Sequence, residues 1–218
     1  MVATSDAPAL LRVKAAEVAT TIAESFADQG KRVLLLMDSL SRYARAMREV
    51  GLAAGELPAR RGYPPSVFAA LPRLLERAGM RAQGSVTAIY SVLVEADDME
   101  DPIADELRGL LDGHILLRRE LAARGHFPAV DVLHSLSRLM PRVTSAEHQR
   151  TATALREQLA HYEASRDLIE LGAYKQGSNP KLDAVLAKLD PIMAFLKQDV
   201  RDHISFEQSV AGLKALSS

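Results

Sequence analysis

Residues 33–39 read Val-Leu-Leu-Leu-Met-Asp-Ser. An unbroken apolar run this short has the signature of a strand buried on both faces, and such strands belong to parallel sheets covered by helices. Ligands of open α/β sheets collect beyond the carboxyl ends of the strands, where Asp38 and Ser39 stand. Two readings of this pair follow from the local pattern. Asp38 is a ligand-facing acid, or Asp38 or Ser39 simply caps the helix that comes next.

The rest of the composition narrows the field. The 218 residues make one large domain or one domain with a smaller companion, and the net charge of -1 gives no general attraction to nucleic acid or membrane. There is no cysteine, hence no disulfide framework and no thiolate metal site. The six histidines, at 114, 126, 134, 148, 161 and 203, form no pair at metal-site spacing beside a carboxylate. No apolar stretch reaches membrane-spanning length and no basic segment leads into an apolar run at the start, so the expected compartment is the cytoplasm.

Along the chain, Met1–Thr4 reads as the tail of a strand. A helix follows from Pro8 to about Gln29, stopped by Gly30; then come the strand Arg32–Met37 and a helix from Leu40 that ends around Gly51 to Gly55. Residues 56–65, Glu-Leu-Pro-Ala-Arg-Arg-Gly-Tyr-Pro-Pro, form a basic, conformationally restricted loop. A helix over Ser66–Arg77 leads to a long strand over Ser85–Glu95, rich in β-branched residues. An acidic turn to Asp101, a short helix from Pro102 to about Leu111 and a strand over Gly113–Leu117 come next. Beyond about residue 135 only helical periodicity is found: Ser145 caps a long helix to about Leu171, and further pieces are broken at Gly177-Ser178-Asn179-Pro180 and Asp190-Pro191. Strands alternating with helices and then helices alone predict an α/β domain followed by a helical domain.

Phosphate chemistry on such a sheet uses an acid at the position of Asp38 to help hold Mg²⁺. It also requires a Gly-x-x-x-x-Gly-Lys-Ser/Thr loop whose amides cradle the phosphates. The sequence has no such loop. Its Gly-Lys pair, Gly30-Lys31, has Ser25 in place of the first glycine and Arg32 in place of the hydroxyl, and lies between a helix and a strand, the reverse of the required order. Either Asp38 holds no metal, or the chain is a piece of something longer.

Three stretches decide between these. They are Val33–Glu49 (VLLLMDSLSRYARAMRE), Gly51–Ser66 (GLAAGELPARRGYPPS) and Gly125–Arg138 (GHFPAVDVLHSLSR), joined by Ala96–Pro102 (ADDMEDP). Together they resemble the catalytic subunit of bacterial type III secretion ATPases, relatives of the flagellar export ATPase and of the catalytic subunit of rotary ATP synthases. The resemblance extends over essentially the whole chain. Family members carry an N-terminal β-barrel, the phosphate loop and the catalytic glutamate upstream of the matching region, so the chain is expected to be the carboxyl-terminal half. The implied fold is a partial RecA-like P-loop NTPase core over residues 1–144, a parallel sheet flanked by helices and lacking the P-loop strand, followed by an all-helical C-terminal domain over 145–218.

The resemblance also implies roles. Asp38 matches the acid serving Mg²⁺, mainly through water, and Arg42 an arginine near the phosphates. Arg138 matches the arginine presented to a neighbouring subunit's nucleotide, where it stabilises charge in the transition state. Phe127 matches the aromatic that packs on adenine. Arg60, Arg61 and Tyr63 match the loop lining the subunit interface and central pore. His126 and Met47 are given no role.

The implied whole is a homo-hexamer using Mg²⁺ and ATP at the cytoplasmic face of the inner membrane, peripheral to it at most. Its partners would be chaperone–effector complexes and the central stalk and regulator proteins of the export apparatus, with no nucleic acid. This chain alone is expected to be catalytically incomplete, to bind neither cofactor, and to self-associate or be marginally stable because a sheet without its P-loop strand exposes edges and an apolar face. Two alternatives stay open: a flagellar export ATPase fragment, and a non-catalytic module for chaperone or stalk docking or for oligomerisation.

Overall fold

A computed structural model describes residues 1–94 and 101–216. The acidic run from Glu95 to Glu100 thus lies outside the described residues. The chain divides into two compact units, Met1–Leu111 and Asp112 onward.

In the first unit, helix α1 (Ala9–Asp28) precedes the strand β1 (Arg32–Met37), and α2 (Leu40–Ala53) follows it. Then come α3 (Pro65–Leu75), β2 (Gly79–Met80), β3 (Ser85–Tyr90) and α4 (Pro102–Leu110). The sheet order is β1-β3-β2. β1 and β3 run parallel, in register from Arg32↔Ser85 to Met37↔Tyr90, whereas β2 is a short antiparallel addition on the far edge of β3. A right-handed βαβ crossover of this length is the usual way to join parallel neighbours.

α1 lies on one face of the sheet. Its small residues Ala23 and Ala27 pack on Val86, with Val33 and Leu35 beside them. The larger core joins Val13 of α1, Leu40 and Tyr43 of α2, Leu71 and Leu74 of α3, and Leu107 of α4. Charged groups tie α1 to the far end of α3 and to β2: Arg77 pairs with Glu24, and Arg81 pairs with Asp28 at 2.6 Å and with Glu24 at 3.3 Å.

Three expectations need correcting. The strand expected over Ser85–Glu95 ends at Tyr90, and residues 91–94 form no strand. Residues 1–4 adopt no strand. β1 is not covered on both faces: Val33, Leu35 and Met37 turn inward, while Leu34 is 59% and Leu36 67% exposed. An apolar run reports the absence of polar residues, not the presence of a covering layer, and here only one face has such a layer.

The second unit starts with a two-stranded antiparallel sheet, β4 (Gly113–Leu117) and β5 (Val130–Ser137), joined through α5 (Arg119–Ala123). A short α6 (Met140–Val143) leads to α7 (Ala146–Glu170), α8 (Pro180–Phe195) and α9 (Phe206–Leu216). Ser145 caps α7 by accepting from the His148 amide at 3.2 Å, and Asn179 caps α8 by accepting from the Leu182 amide at 3.2 Å. The three long helices share a core of Leu155 and Leu159 from α7, Ile192 from α8 and Leu213 from α9, against which Val132 and Leu133 of β5 pack. Among the described residues no helix is long and apolar enough to cross a membrane.

Candidate functional site

The end of β1 is where chemistry concentrates in the first unit. Beyond Met37 the pairing with the β3 chain continues: the Ser91 amide donates to the Met37 carbonyl at 3.0 Å, and the Leu40 amide donates to the Ser91 carbonyl at 2.9 Å. The Ser91 hydroxyl donates to Asp38 Oδ1 at 2.6 Å. Ser39 accepts from the Arg42 amide at 3.3 Å as the cap of α2, so of the two local readings the cap belongs to Ser39 and leaves Asp38 facing outward. Ser41 locks the start of α2 to the outgoing chain, accepting from the Leu93 amide at 2.7 Å.

Asp38, Ser39, Arg42 and Tyr43 line a cavity of about 160 Å³, together with Arg12 and the first few residues. Arg12 is held by Glu49 at 2.7 Å and donates from Nε to the Ala7 carbonyl at 3.0 Å. The Arg42 side chain is exposed one turn into α2. One carboxylate, one capping hydroxyl and the guanidinium groups of Arg12 and Arg42 therefore share a single opening at the carboxyl end of parallel strands. That donor set suits a hard cation held chiefly by water and phosphate oxygens, since Mg²⁺ takes one or two carboxylates and keeps several waters. Among the described residues no cluster of three or more His, Asp or Glu side chains is available as an all-protein metal cage.

The loop with Arg60, Arg61 and Tyr63 is a tight reversal. Arg60 and Tyr63 form an isolated antiparallel bridge, and Arg61 and Gly62 both have positive φ, 45° and 81°, the sign pattern of a type I′ turn. Arg60 does not point away from the fold. Its guanidinium lies 5.0 Å from the Phe68 ring centroid and pairs with Glu106 at 3.3 Å. Tyr63 lies under Arg48 at 5.4 Å and meets Phe68 edge-on. Arg61 occupies the exposed tip.

Phe127 and Arg138 belong to the second unit. The Phe127 side chain is 53% exposed in the connection between α5 and β5. Arg138 is exposed directly after β5, its amide donating to the Asp112 carbonyl at 2.7 Å. The start of β5 is fixed by Asp131, which pairs with Arg118 at 2.5 Å and with His134 at 2.8 Å. Burial pushes the Asp131 carboxyl up, but bonds from His134 and the Arg118 charge outweigh it and hold the group below the usual carboxylate range.

Ser91, which orients Asp38, was not read from the sequence although it had a signal: the residue after the last pair of a parallel register lands beside the residue after its partner.

The sequence model of the ATP synthase alpha/beta family, nucleotide-binding domain, matches residues 1–137, and that of the T3SS EscN ATPase C-terminal domain matches 144–215. A type 3 secretion system ATPase of Sinorhizobium fredii is 54% identical over 218 residues, 100% of this chain and 48% of the relative. The flagellum-specific ATP synthase of Bacillus subtilis is 52% identical over 217 residues, 100% of this chain and 50% of the relative. The chain thus spans about half the length of the curated relatives it matches. Among solved structures, the assembled ATPase EscN of enteropathogenic E. coli superposes with a TM-score of 0.96 at 51% identity, over 100% of this chain and 53% of that one. EscN in complex with its central stalk EscO gives 0.90 at 50% identity, over 100% and 52%. The chain belongs to the ATP synthase alpha/beta family, in the EscN-type branch that holds the ATPases of type III secretion and flagellar export.

Proposed function

We propose that this chain is the part of a type III export ATPase that completes the nucleotide site, residues 1–144 forming the nucleotide-side portion and 145–218 the helical docking domain. The observation that carries the reading is the Asp38–Ser91 pair at the mouth of two parallel strands, sharing a cavity with Arg42. Asp38 would hold Mg²⁺ mainly through water, its carboxylate oriented by the Ser91 hydroxyl at Oδ1. The bound ion would supply charge neutralisation across the phosphates. Arg42 would contribute a fixed positive charge beside them. For Phe127, in the second unit, the proposed role is a ring face for a nucleotide base.

Arg138 would act on a neighbouring subunit's nucleotide. Arg61 presents the loop tip toward the ring interface, with Arg60 and Tyr63 holding that tip in shape. The assembled EscN and its complex with a stalk protein support a homo-oligomer, taken here as a hexamer, with a stalk partner. Chaperone–cargo complexes would meet the helical domain, at the cytoplasmic face of the inner membrane. A flagellar system is the second reading, favoured by the 52% identity to the Bacillus subtilis protein.

Catalysis of phosphoryl transfer rests on positioning and charge neutralisation. Without a phosphate cradle the chain alone hydrolyses no ATP. Fusing it behind the amino-terminal half of the Sinorhizobium fredii relative restores turnover, and Asp38→Ala and Arg138→Ala each abolish it. Hydrolysis by the purified chain itself, or a fully active Asp38→Ala fusion, overturns the reading.

A further inference from the structure

β4 and β5 form a ribbon of two strands, and two strands alone are marginal in water unless something packs on them. The register of this ribbon breaks in the middle. Leu116 faces Asp131 and His114 faces Leu136, so residues 132–135 of β5 bulge out against the single residue Ile115 of β4.

A bulge takes backbone groups out of the ladder, and each then needs another partner. The Ser135 hydroxyl donates to the Asp131 carbonyl at 2.6 Å and accepts from the Leu116 amide at 2.9 Å. The His134 amide donates to Asp131 Oδ1 at 3.0 Å. The carbonyls of Leu133 and Ser135 are taken from outside the ribbon, by Arg156 of α7. Its Nη2 donates to Leu133 at 2.9 Å and its Nη1 to Ser135 at 3.1 Å.

Arg156 is half-buried, and among the described residues no carboxylate pairs with it. Its guanidinium serves two neutral carbonyls instead, a rigid two-pronged grip that lysine does not reproduce. Apolar contact also joins the ribbon to the helices, through Val132 and Leu133. Yet a cavity of about 640 Å³ opens along the same junction, lined by Leu133, Arg156 and Ala160 among others. The two bonds therefore hold the ribbon to α7 where packing is incomplete.

From the bulge the ribbon leads directly to Arg138. Leu136 and Ser137 pair with His114 and Gly113, and the Arg138 amide donates to the Asp112 carbonyl at 2.7 Å. A Cβ on Gly113 would overlap the Leu136 carbonyl oxygen, so the two strands are in close contact at this end.

We propose that Arg156 is a positioning residue that ties the bulge of β5 to α7, so that the helical layer sets where the ribbon carries Arg138. The functional meaning rests on the reading of Arg138 given above, but the tie itself is tested on the chain without nucleotide.

Arg156→Met keeps the apolar stem and removes the fork; Arg156→Lys keeps stem and charge without the fork. Both are expected to speed hydrogen exchange at the Arg138 amide roughly ten-fold. The Leu196 amide, which closes α8 by donating to the Ile192 carbonyl, stays unchanged. Unchanged exchange at Arg138 in Arg156→Met overturns the proposal. So does equal acceleration at Leu196, because Arg156 would then hold the helices together rather than the ribbon to them. Wild-type exchange in Arg156→Lys overturns it as well, since a point charge would then suffice. In the fusion described above, Arg156→Met is expected to lower kcat about five-fold with KM for ATP within about two-fold of wild type. A raised KM at unchanged kcat overturns the link to Arg138. A fully active Arg138→Ala fusion counts against the reading of Arg138 and leaves the exchange result to decide the tie.

Discussion

Asp38 and Ser91 are the first residues past the last paired positions of two parallel strands, Met37 and Tyr90, and the seryl hydroxyl donates to the carboxylate at 2.6 Å. The contact fixes the carboxylate by a group from the neighbouring strand rather than from its own helix. An acid oriented this way needs little reorganisation when a cation or its water arrives, which is the condition under which a single carboxylate contributes to catalysis.

In the fusion that supplies a phosphate loop, Ser91→Ala removes one bond to a charged acceptor while leaving Asp38 in place. The expected cost is about 1 kcal/mol, roughly a five-fold fall in kcat/KM. Ser91→Thr, which keeps the hydroxyl, recovers most of it. Steady-state kinetics at saturating Mg²⁺ checks both, and an unaltered Ser91→Ala enzyme would show that the contact orients nothing.

The open face of the sheet leads to a second expectation. Leu36 and its register partner Ile89 lie on the same face, 67% and 58% exposed, with Leu34 beside them at 59%. β1 is also an edge strand of its sheet. Burying each such side chain is worth about 1.5–3 kcal/mol, enough to drive association of copies through this face. The isolated chain is expected to show a mass that rises with concentration in light scattering. The double substitution Leu34→Glu, Leu36→Glu should return it to the monomer mass, because charged side chains on an edge block pairing.

The site and its frame were unequally legible. The position of Asp38 at the mouth of β1 could be read because strand, acid and hydroxyl are consecutive, so no tertiary information was needed. Ser39 as the cap of α2 follows the same local logic. The half-exposure of β1 could not be read, because residues 33–37 are identical in pattern to a strand covered on both faces. Arg60 shows the same gap from the other side. A basic loop was evident, but its attachment to Glu106 joins residues 46 apart and turns a suspected loop-tip charge into a brace for the tip. β2 is two residues long and leaves no periodic trace.

Gly84 gives a sharper test of the packing. It sits where the turn after β2 enters β3, its carbonyl accepting from the Arg81 amide at 2.9 Å. A Cβ built on it would overlap the carbonyl oxygens of Ala27 and Lys31, both backbone atoms with no rotamer by which to retreat. Gly84→Ala is therefore expected to destabilise the first unit by about 3 kcal/mol, at the upper end of overpacking costs. Among the described residues nothing lies within 4 Å of a Cβ added to Gly109, in α4. Gly109→Ala should be neutral or stabilising by about 0.5–1 kcal/mol through the lower entropy of the unfolded chain. Urea midpoints of the two variants separate the cases.

The ion pairs between α1 and the α3–β2 end predict how stability responds to acid. The Arg77 guanidinium hydrogen-bonds Glu24 and holds its carboxyl below the ordinary glutamate range, outweighing partial burial, with the charges of Arg77 and Arg81 assisting. The folded state therefore binds the Glu24 proton less readily than the unfolded chain, whose glutamates titrate near about 4.3. Stability from this group is present above that value and is lost as the pH falls through the lower folded value. Glu24 is 19% and Arg77 27% exposed, so the pair is partly shielded from solvent and salt. Glu24→Gln is expected to cost about 1–2 kcal/mol at pH 7, above the usual range for a fully exposed pair, because it leaves two arginines short of an acceptor. The difference between wild type and Glu24→Gln in urea unfolding should shrink steadily from pH 5 to pH 3. A difference that stays constant over that interval would mean that the variant acts through packing, with the Glu24 charge contributing nothing.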